Sequence, residues 1–61
     1  MSDDELWAEY ADLVAEVSAE IGAARALERS PERAMRHVHA ARARLNDVER
    51  VLVVVLYGVR P

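Results

Sequence analysis

A single interior proline, Pro31, divides the 61-residue chain into two nearly equal halves. Proline inside a helix costs about 3 kcal/mol, because it lacks the amide hydrogen and its ring clashes with the preceding turn. The same residue suits the first turn of a new helix, and Ser30 before it and Glu32 after it complete a helix start. Ser2 and Glu5 have the spacing of a capping box at another start. These signals predict two helices, at about 3–29 and 31–57, joined by a very short turn.

Apolar residues in both halves recur at alternating steps of three and four. The steps run through Trp7, Tyr10, Val14, Val17, Ile21 and Ala24, and then through Ala34, Val38, Ala41, Leu45, Val48, Leu52, Val55 and Val59. Leucines 6, 13 and 27 widen the first stripe. Such spacing is typical of helices that pack at a shallow angle. It predicts one all-α domain over residues 1–61, an antiparallel two-helix hairpin in which Leu6 lies near Val55 and Ile21 near Ala41.

The longest unbroken apolar run is Val51–Tyr57. It is far shorter than the roughly 20 residues that a membrane-spanning helix needs. Its β-branched residues make a strand the alternative to a helix, but a lone strand would have to pair with a second copy of the chain. The heptad spacing through Val48, Leu52 and Val55 favours a helix.

A helix over this run would be apolar on every side, so a single partner helix could not cover it. Leaving Val53 and Val54 in water forfeits roughly 1.5–3 kcal/mol for each side chain. We therefore expect a second chain, most simply a symmetric homodimer that forms a four-helix bundle, or else a larger protein as partner. The predicted interface comprises Trp7, Tyr10, Leu45, Val48, Val51, Leu52, Val53, Val54, Val55 and Leu56.

Charge is distributed unevenly along the chain, whose net charge is -3. Residues 1–20 contain seven acidic side chains and no basic one, whereas residues 21–44 contain six arginines and two glutamates. A hairpin would thus be acidic at its open end and basic at its turn. Two hairpins packed end for end would bring opposite charges together, but overlap of the two 51–57 segments favours the reverse packing. The sequence leaves the relative orientation open.

The arginines also raise an alternative function, a dimeric hairpin that regulates by binding nucleic acid. Its contacts would be Arg29, Arg33, Arg36 and Arg44 on one side of the second helix. The negative net charge and the lack of an aromatic residue among these arginines argue against it. A solvated surface with pairs within the chain, such as Glu28 with Arg25 and Glu32 with Arg36, is the simpler interpretation.

Catalytic and metal-binding chemistry lacks its usual residues here. The chain has no cysteine, and His37 and His39 are two residues apart, whereas ligands on one helix face are three or four apart. Neither histidine has a carboxylate at helical spacing to orient it. We therefore predict exposed or flanking histidines, no catalytic residue, no cofactor and no metal, and hence a protein that is not an enzyme.

Composition and the first residues bear on the source of the protein. Every basic residue is arginine, and alanine and valine are abundant, which fits GC-rich codons. This usage suggests a bacterium or a phage. The acidic start of the chain is unlike a signal or transit peptide, so we expect a cytoplasmic protein.

Overall fold

The computed structural model describes residues 2–58, which form two α-helices packed against each other as a hairpin. Helix α1 spans Asp3–Ala26 and helix α2 spans Pro31–Tyr57. The all-α prediction is confirmed, and the Val51–Tyr57 run is helical rather than a strand. Val59, the last position of the predicted apolar stripe, lies outside the described residues.

The helix ends show which of the capping residues form hydrogen bonds. The Glu5 N–H donates to Ser2 Oγ at 3.3 Å, as the capping box predicts, and acidic residues fill the first turn. Ser30 stands at the N-cap of α2, but its side chain accepts no capping hydrogen bond. Its ψ is 75° against 162° for Ser2, so the backbone does not present the hydroxyl to the first turn in the same way. At the end of α2, Gly58 adopts a φ of 65°, and its N–H donates to the Val54 carbonyl at 2.8 Å.

The reversal between the helices lies earlier than the sequence predicts. Helix α1 ends at Ala26 rather than at residue 29, and residues 27–30 form the connection. The Leu27 N–H donates to the Ala24 carbonyl and the Ser30 N–H donates to the Leu27 carbonyl, so two tight turns follow α1 directly. The physical reason is that an antiparallel reversal consumes residues, while Pro31 keeps Ser30 out of helical geometry. The centre of the turn therefore precedes Ser30.

The buried core is small and favours one side of α1. Within the described residues, the side chains that become buried are Leu6, Ala41, Val48 and Val51. Along α1, the line that faces α2 continues from Leu6 through Tyr10, Leu13, Val17 and Ala24, all half-buried. The stripe predicted for α1 was therefore partly wrong, because its alternate members point elsewhere: Trp7 is 48% exposed, Val14 38% and Ile21 50%. Apolar residues cover a wider arc of α1 than a single partner helix can bury.

The hairpin is an elongated slab of 42 × 18 × 13 Å. Its radius of gyration is 13.8 Å, whereas a compact chain of this length would have about 10.5 Å. Its accessible surface is 4912 Å², against about 4,000 Å² for a compact monomer of the same mass. Two helices alone therefore leave more surface in water than a compact fold of the same mass would.

Gly22 provides a first test of local energetics. It lies in the interior of α1, and a Cβ built on it meets nothing within 4 Å, so neither close packing nor a bend requires glycine. We expect Gly22→Ala to stabilise the fold by about 0.5–1 kcal/mol, because alanine loses less backbone entropy on entering a helix. Chemical denaturation would measure this change. A destabilised variant would show that the position is constrained by a contact outside the hairpin.

Candidate interaction surface

One long side of the hairpin carries polar contacts between the helices, and we call it the polar side. His37 Nδ1 lies 3.1 Å from Glu20 Oε2, and Arg44 Nε lies 3.1 Å from Glu16 Oε2. From the first pair to the second, the residue number falls from 20 to 16 in α1 and rises from 37 to 44 in α2. The two pairs therefore define the register of the antiparallel helices. Glu16, Glu20 and Arg44 border a shallow groove of about 290 Å³, to which Ala19 and Ala40 also contribute.

His37 flanks the contact between the helices, but the sequence did not predict that it has a carboxylate partner there. His37 is half-buried, and because a carboxylate can only accept, its Nδ1–H donates to Glu20. His39 is exposed. Spacing within one helix could not reveal this pair, because the two residues are seventeen positions apart. The early turn is a second reason why the pair was not predicted. The register predicted from the sequence places α2 residues near Ala41, rather than His37, at the level of Glu20.

The predicted arginine surface is divided in the structure. Arg44 is held by Glu16 and by Asp47, whose Oδ2 lies 3.5 Å from its Nη1. Arg29, Arg33 and Arg36 are exposed near the turn. Because acidic side chains already neutralise Arg44, the four arginines do not form a continuous surface of uncompensated positive charge.

The ion pairs within residues 2–58 also differ from those predicted. Neither Glu28 with Arg25 nor Glu32 with Arg36 is among them. Instead, Asp47 bridges Arg44 and Arg50, with 3.8 Å between its Oδ1 and the Arg50 Nη1. These side chains are solvent-accessible, so each pair contributes little to stability.

The opposite long side of the hairpin carries most of its exposed large apolar residues. In α2, Arg44 and Leu45 lie on opposite sides of the line through buried Ala41 and Val48, since each helical residue turns about 100° from the last. Arg44 faces the polar side, so Leu45 faces away from it. In α1, Leu13 and Val17 lie on the line that faces α2. Val14 follows Leu13 and Glu16 precedes Val17, so the same geometry places the Val14 and Glu16 side chains on opposite sides of that line.

We call this surface the apolar face. Its members recur every seven residues, so that they follow one side of each helix. They are Trp7, Val14 and Ile21 in α1 with Val38, Leu45 and Leu52 in α2, and Leu56 extends the second row. The contacts of Glu20 with His37 and of Glu16 with Arg44 bracket the register of the two helices. In this register, Trp7 is level with Leu52, Val14 with Leu45 and Ile21 with Val38. The face therefore runs the length of the hairpin as three rungs.

The rungs combine exposed and half-buried side chains. Leu45 is 50% exposed and Leu56 is 70% exposed, whereas Val38 and Leu52 are half-buried. At one end, the rings of Trp7 and Tyr10 meet edge to face, with centroids 5.4 Å apart and planes at 86°. This contact supports the Trp7 ring at the edge of the face.

The interface residues predicted from the sequence fall into three groups. Trp7, Leu45 and Leu56 are exposed on the apolar face. Val48 and Val51 are buried within the hairpin, so they serve its own core. The remaining members are half-buried: Tyr10, Leu52, Val53, Val54 and Val55. Val14, Ile21 and Val38 were not predicted on this face, because their stripe was assigned to the contact between the helices.

Two further findings concern the described residues. Neither α1 nor α2 is long and apolar enough to cross a membrane. Between residues 2 and 58, histidine, aspartate and glutamate do not gather in groups of three that could hold a metal ion.

Comparison with other proteins adds no relative: the chain matches no protein-family model, no curated protein and no solved structure.

Proposed function

We propose that this protein is a helical interaction module that associates with itself, binding a second copy through the apolar face to form a four-helix bundle. The observation that carries the proposal is the exposure of Trp7, Val14, Ile21, Leu45 and Leu56 along one side of the hairpin. Large apolar side chains scattered singly are ordinary on protein surfaces, but rows of them along one side of a molecule are typical of an interface. The proposal assigns the chain no reaction.

The size of the face fits a second copy. The slab measures 42 by 18 Å across its broad side. The broad side as a whole is therefore of the order of size at which a specific interface buries roughly 800 Å² per partner. A hairpin with an identical face is therefore large enough to cover it from end to end.

The two sides of the hairpin also differ in the way that a bundle requires. The polar side carries the Glu20–His37 and Glu16–Arg44 pairs and would face water in a dimer. The apolar face would meet its own copy, which would complete a four-helix core. This contrast supports self-association more than it supports a nucleic-acid regulator, since Arg44 is occupied by carboxylates within the chain.

The mass of the protein in solution tests the proposal. We expect light scattering at micromolar concentration to give twice the 6.8 kDa mass of one chain, with a helical circular dichroism spectrum. Dilution should shift the mass towards that of one chain. A helical chain that keeps the mass of a monomer up to millimolar concentration would contradict self-association, and the apolar face would then require a different protein as partner.

A further inference from the structure

We infer that the two copies pack end for end, with their turns at opposite ends of the bundle and a twofold axis passing between the copies at the level of Val14 and Leu45. This inference rests on the proposed self-association and adds the orientation that the sequence left open. It follows from the positions of apolar and charged residues along the apolar face.

The apolar rungs are symmetric about their middle. Trp7 and Ile21 each lie seven residues from Val14 in α1, and Val38 and Leu52 each lie seven residues from Leu45 in α2. In an end-for-end pair, α1 lies antiparallel along α1 of the second copy, and α2 along α2. The middle rung then meets itself, and the outer rungs meet each other, so every apolar side chain of the three rungs has an apolar partner.

Charged residues within the face select this orientation. Arg42 and Glu49 lie on the same side of α2 as Leu45, three residues before it and four residues after it. Both are exposed, and no ion pair among the described residues uses them. End-for-end packing sets Arg42 of each copy opposite Glu49 of the other, which forms two identical ion pairs across the axis.

The same symmetry applies to α1. Asp3 and Arg25 lie at opposite ends of this helix, each eleven residues from Val14, and both flank the apolar face. End-for-end packing brings Asp3 of one copy to Arg25 of the other. The acidic open end of each hairpin therefore meets the basic turn end of its partner, as expected from the distribution of charge along the sequence.

The opposite orientation leaves the same charges without partners. With both turns at one end, α1 would lie along α2 of the second copy, with Arg42 level with Val17 and Glu49 level with Tyr10. A charge removed from water without a partner is strongly unfavourable. The end-for-end dimer is therefore favoured because it pairs Arg42 with Glu49 and Asp3 with Arg25 among residues 2–58.

A distance between spin labels tests the orientation directly. Glu28 is exposed in the connection between the helices, and the chain has no cysteine, so Glu28→Cys gives one labelling site far from the apolar face. End-for-end packing places the two labels about 40 Å apart, because position 28 lies fourteen residues from the level of the axis. With both turns at one end, the labels would be within roughly 20 Å, since packed helices are 8–10 Å apart.

The result is read together with the mass of the labelled protein. A dimer with a label distance near 40 Å supports the inference. A dimer with a short distance overturns the orientation and leaves self-association intact, whereas a monomer overturns both.

Charge reversal gives an independent test. We expect Arg42→Glu alone and Glu49→Arg alone each to raise the dissociation constant about tenfold, since each change makes two contacts repulsive. A chain carrying both changes should recover its affinity. An equimolar mixture of the two single variants should associate more tightly than either variant alone, because every contact in the mixed dimer is again attractive. Unchanged affinity in the single variants, or no recovery in the double variant, would overturn the inference.

Discussion

Leu45→Glu is expected to convert the proposed dimer into a monomer that keeps its helical hairpin. Leu45 is half exposed at the middle rung of the apolar face, so a charge there is tolerated by the isolated chain but must lose its hydration in the dimer. In the end-for-end dimer the two introduced carboxylates also lie near each other across the axis. Loss of apolar burial and desolvation of the charges together should cost about 3 kcal/mol or more, which weakens association at least a hundredfold.

The matched control is Ala43→Glu. Ala43 is exposed on α2 two residues before Leu45, and at about 100° per residue it points away from the apolar face. Sedimentation equilibrium should give a dimer for this control and a monomer for Leu45→Glu. If both variants kept the mass of the unmodified protein, the apolar face would not be the contact surface.

The second large effect is expected from Ala41→Leu. Ala41 is 2% exposed, the lowest value in the described chain, and it lies where α2 packs on α1. A leucine there must push the helices apart, and overpacking of this kind typically costs 1–3 kcal/mol. A chain of 61 residues has a total stability of only about 3–9 kcal/mol. We therefore expect thermal unfolding, followed by circular dichroism, to shift down by on the order of 10 °C.

Ala43→Leu controls for the change in residue type on the same helix. Its side chain would project into water, so we expect a change in stability within about 0.5 kcal/mol. The variants must be compared at one protein concentration, because association stabilises the folded chain by mass action. If Ala41→Leu were as stable as Ala43→Leu, the helices would be less closely packed at this point than the burial of Ala41 indicates.

These expectations share one cause, the small core of the single hairpin. In residues 2–58 the buried side chains are one leucine, one alanine and two valines. A chain of this size, with no disulfide, normally needs additional burial to fold stably. The apolar face would supply that burial in the proposed dimer, and folding and association would then be coupled.

The sequence predicted the elements of the fold well because their signals are local. The bond that Ser2 accepts at the start of α1, and the break at Pro31, depend on residues within one turn of the chain. The helical state of Val51–Tyr57 also followed from a repeat that the sequence displays. The end of α1 was less predictable, because the number of residues in a reversal depends on how the second helix returns.

The candidate surface was predicted only in part, for a different reason. Trp7, Leu45 and Leu56 were expected at an interface and are exposed, but Val14 and Ile21 were assigned to the hairpin core and lie on the outside. Both assignments satisfy the same spacing of three and four residues. The choice between two adjacent apolar stripes of α1 depends on its rotation against α2, and no signal within α1 fixes that rotation.

The sequence by itself determined two helices, where they begin, and an excess of apolar surface over what two helices can cover. The tertiary structure decided the rotation of α1, the register marked by Glu20 with His37, and the separation of a polar side from an apolar face. Helix formation is decided by hydrogen bonds and caps between near neighbours in sequence. Docking is decided by the simultaneous fit of residues far apart in the chain, so it could be seen only once both helices were in place.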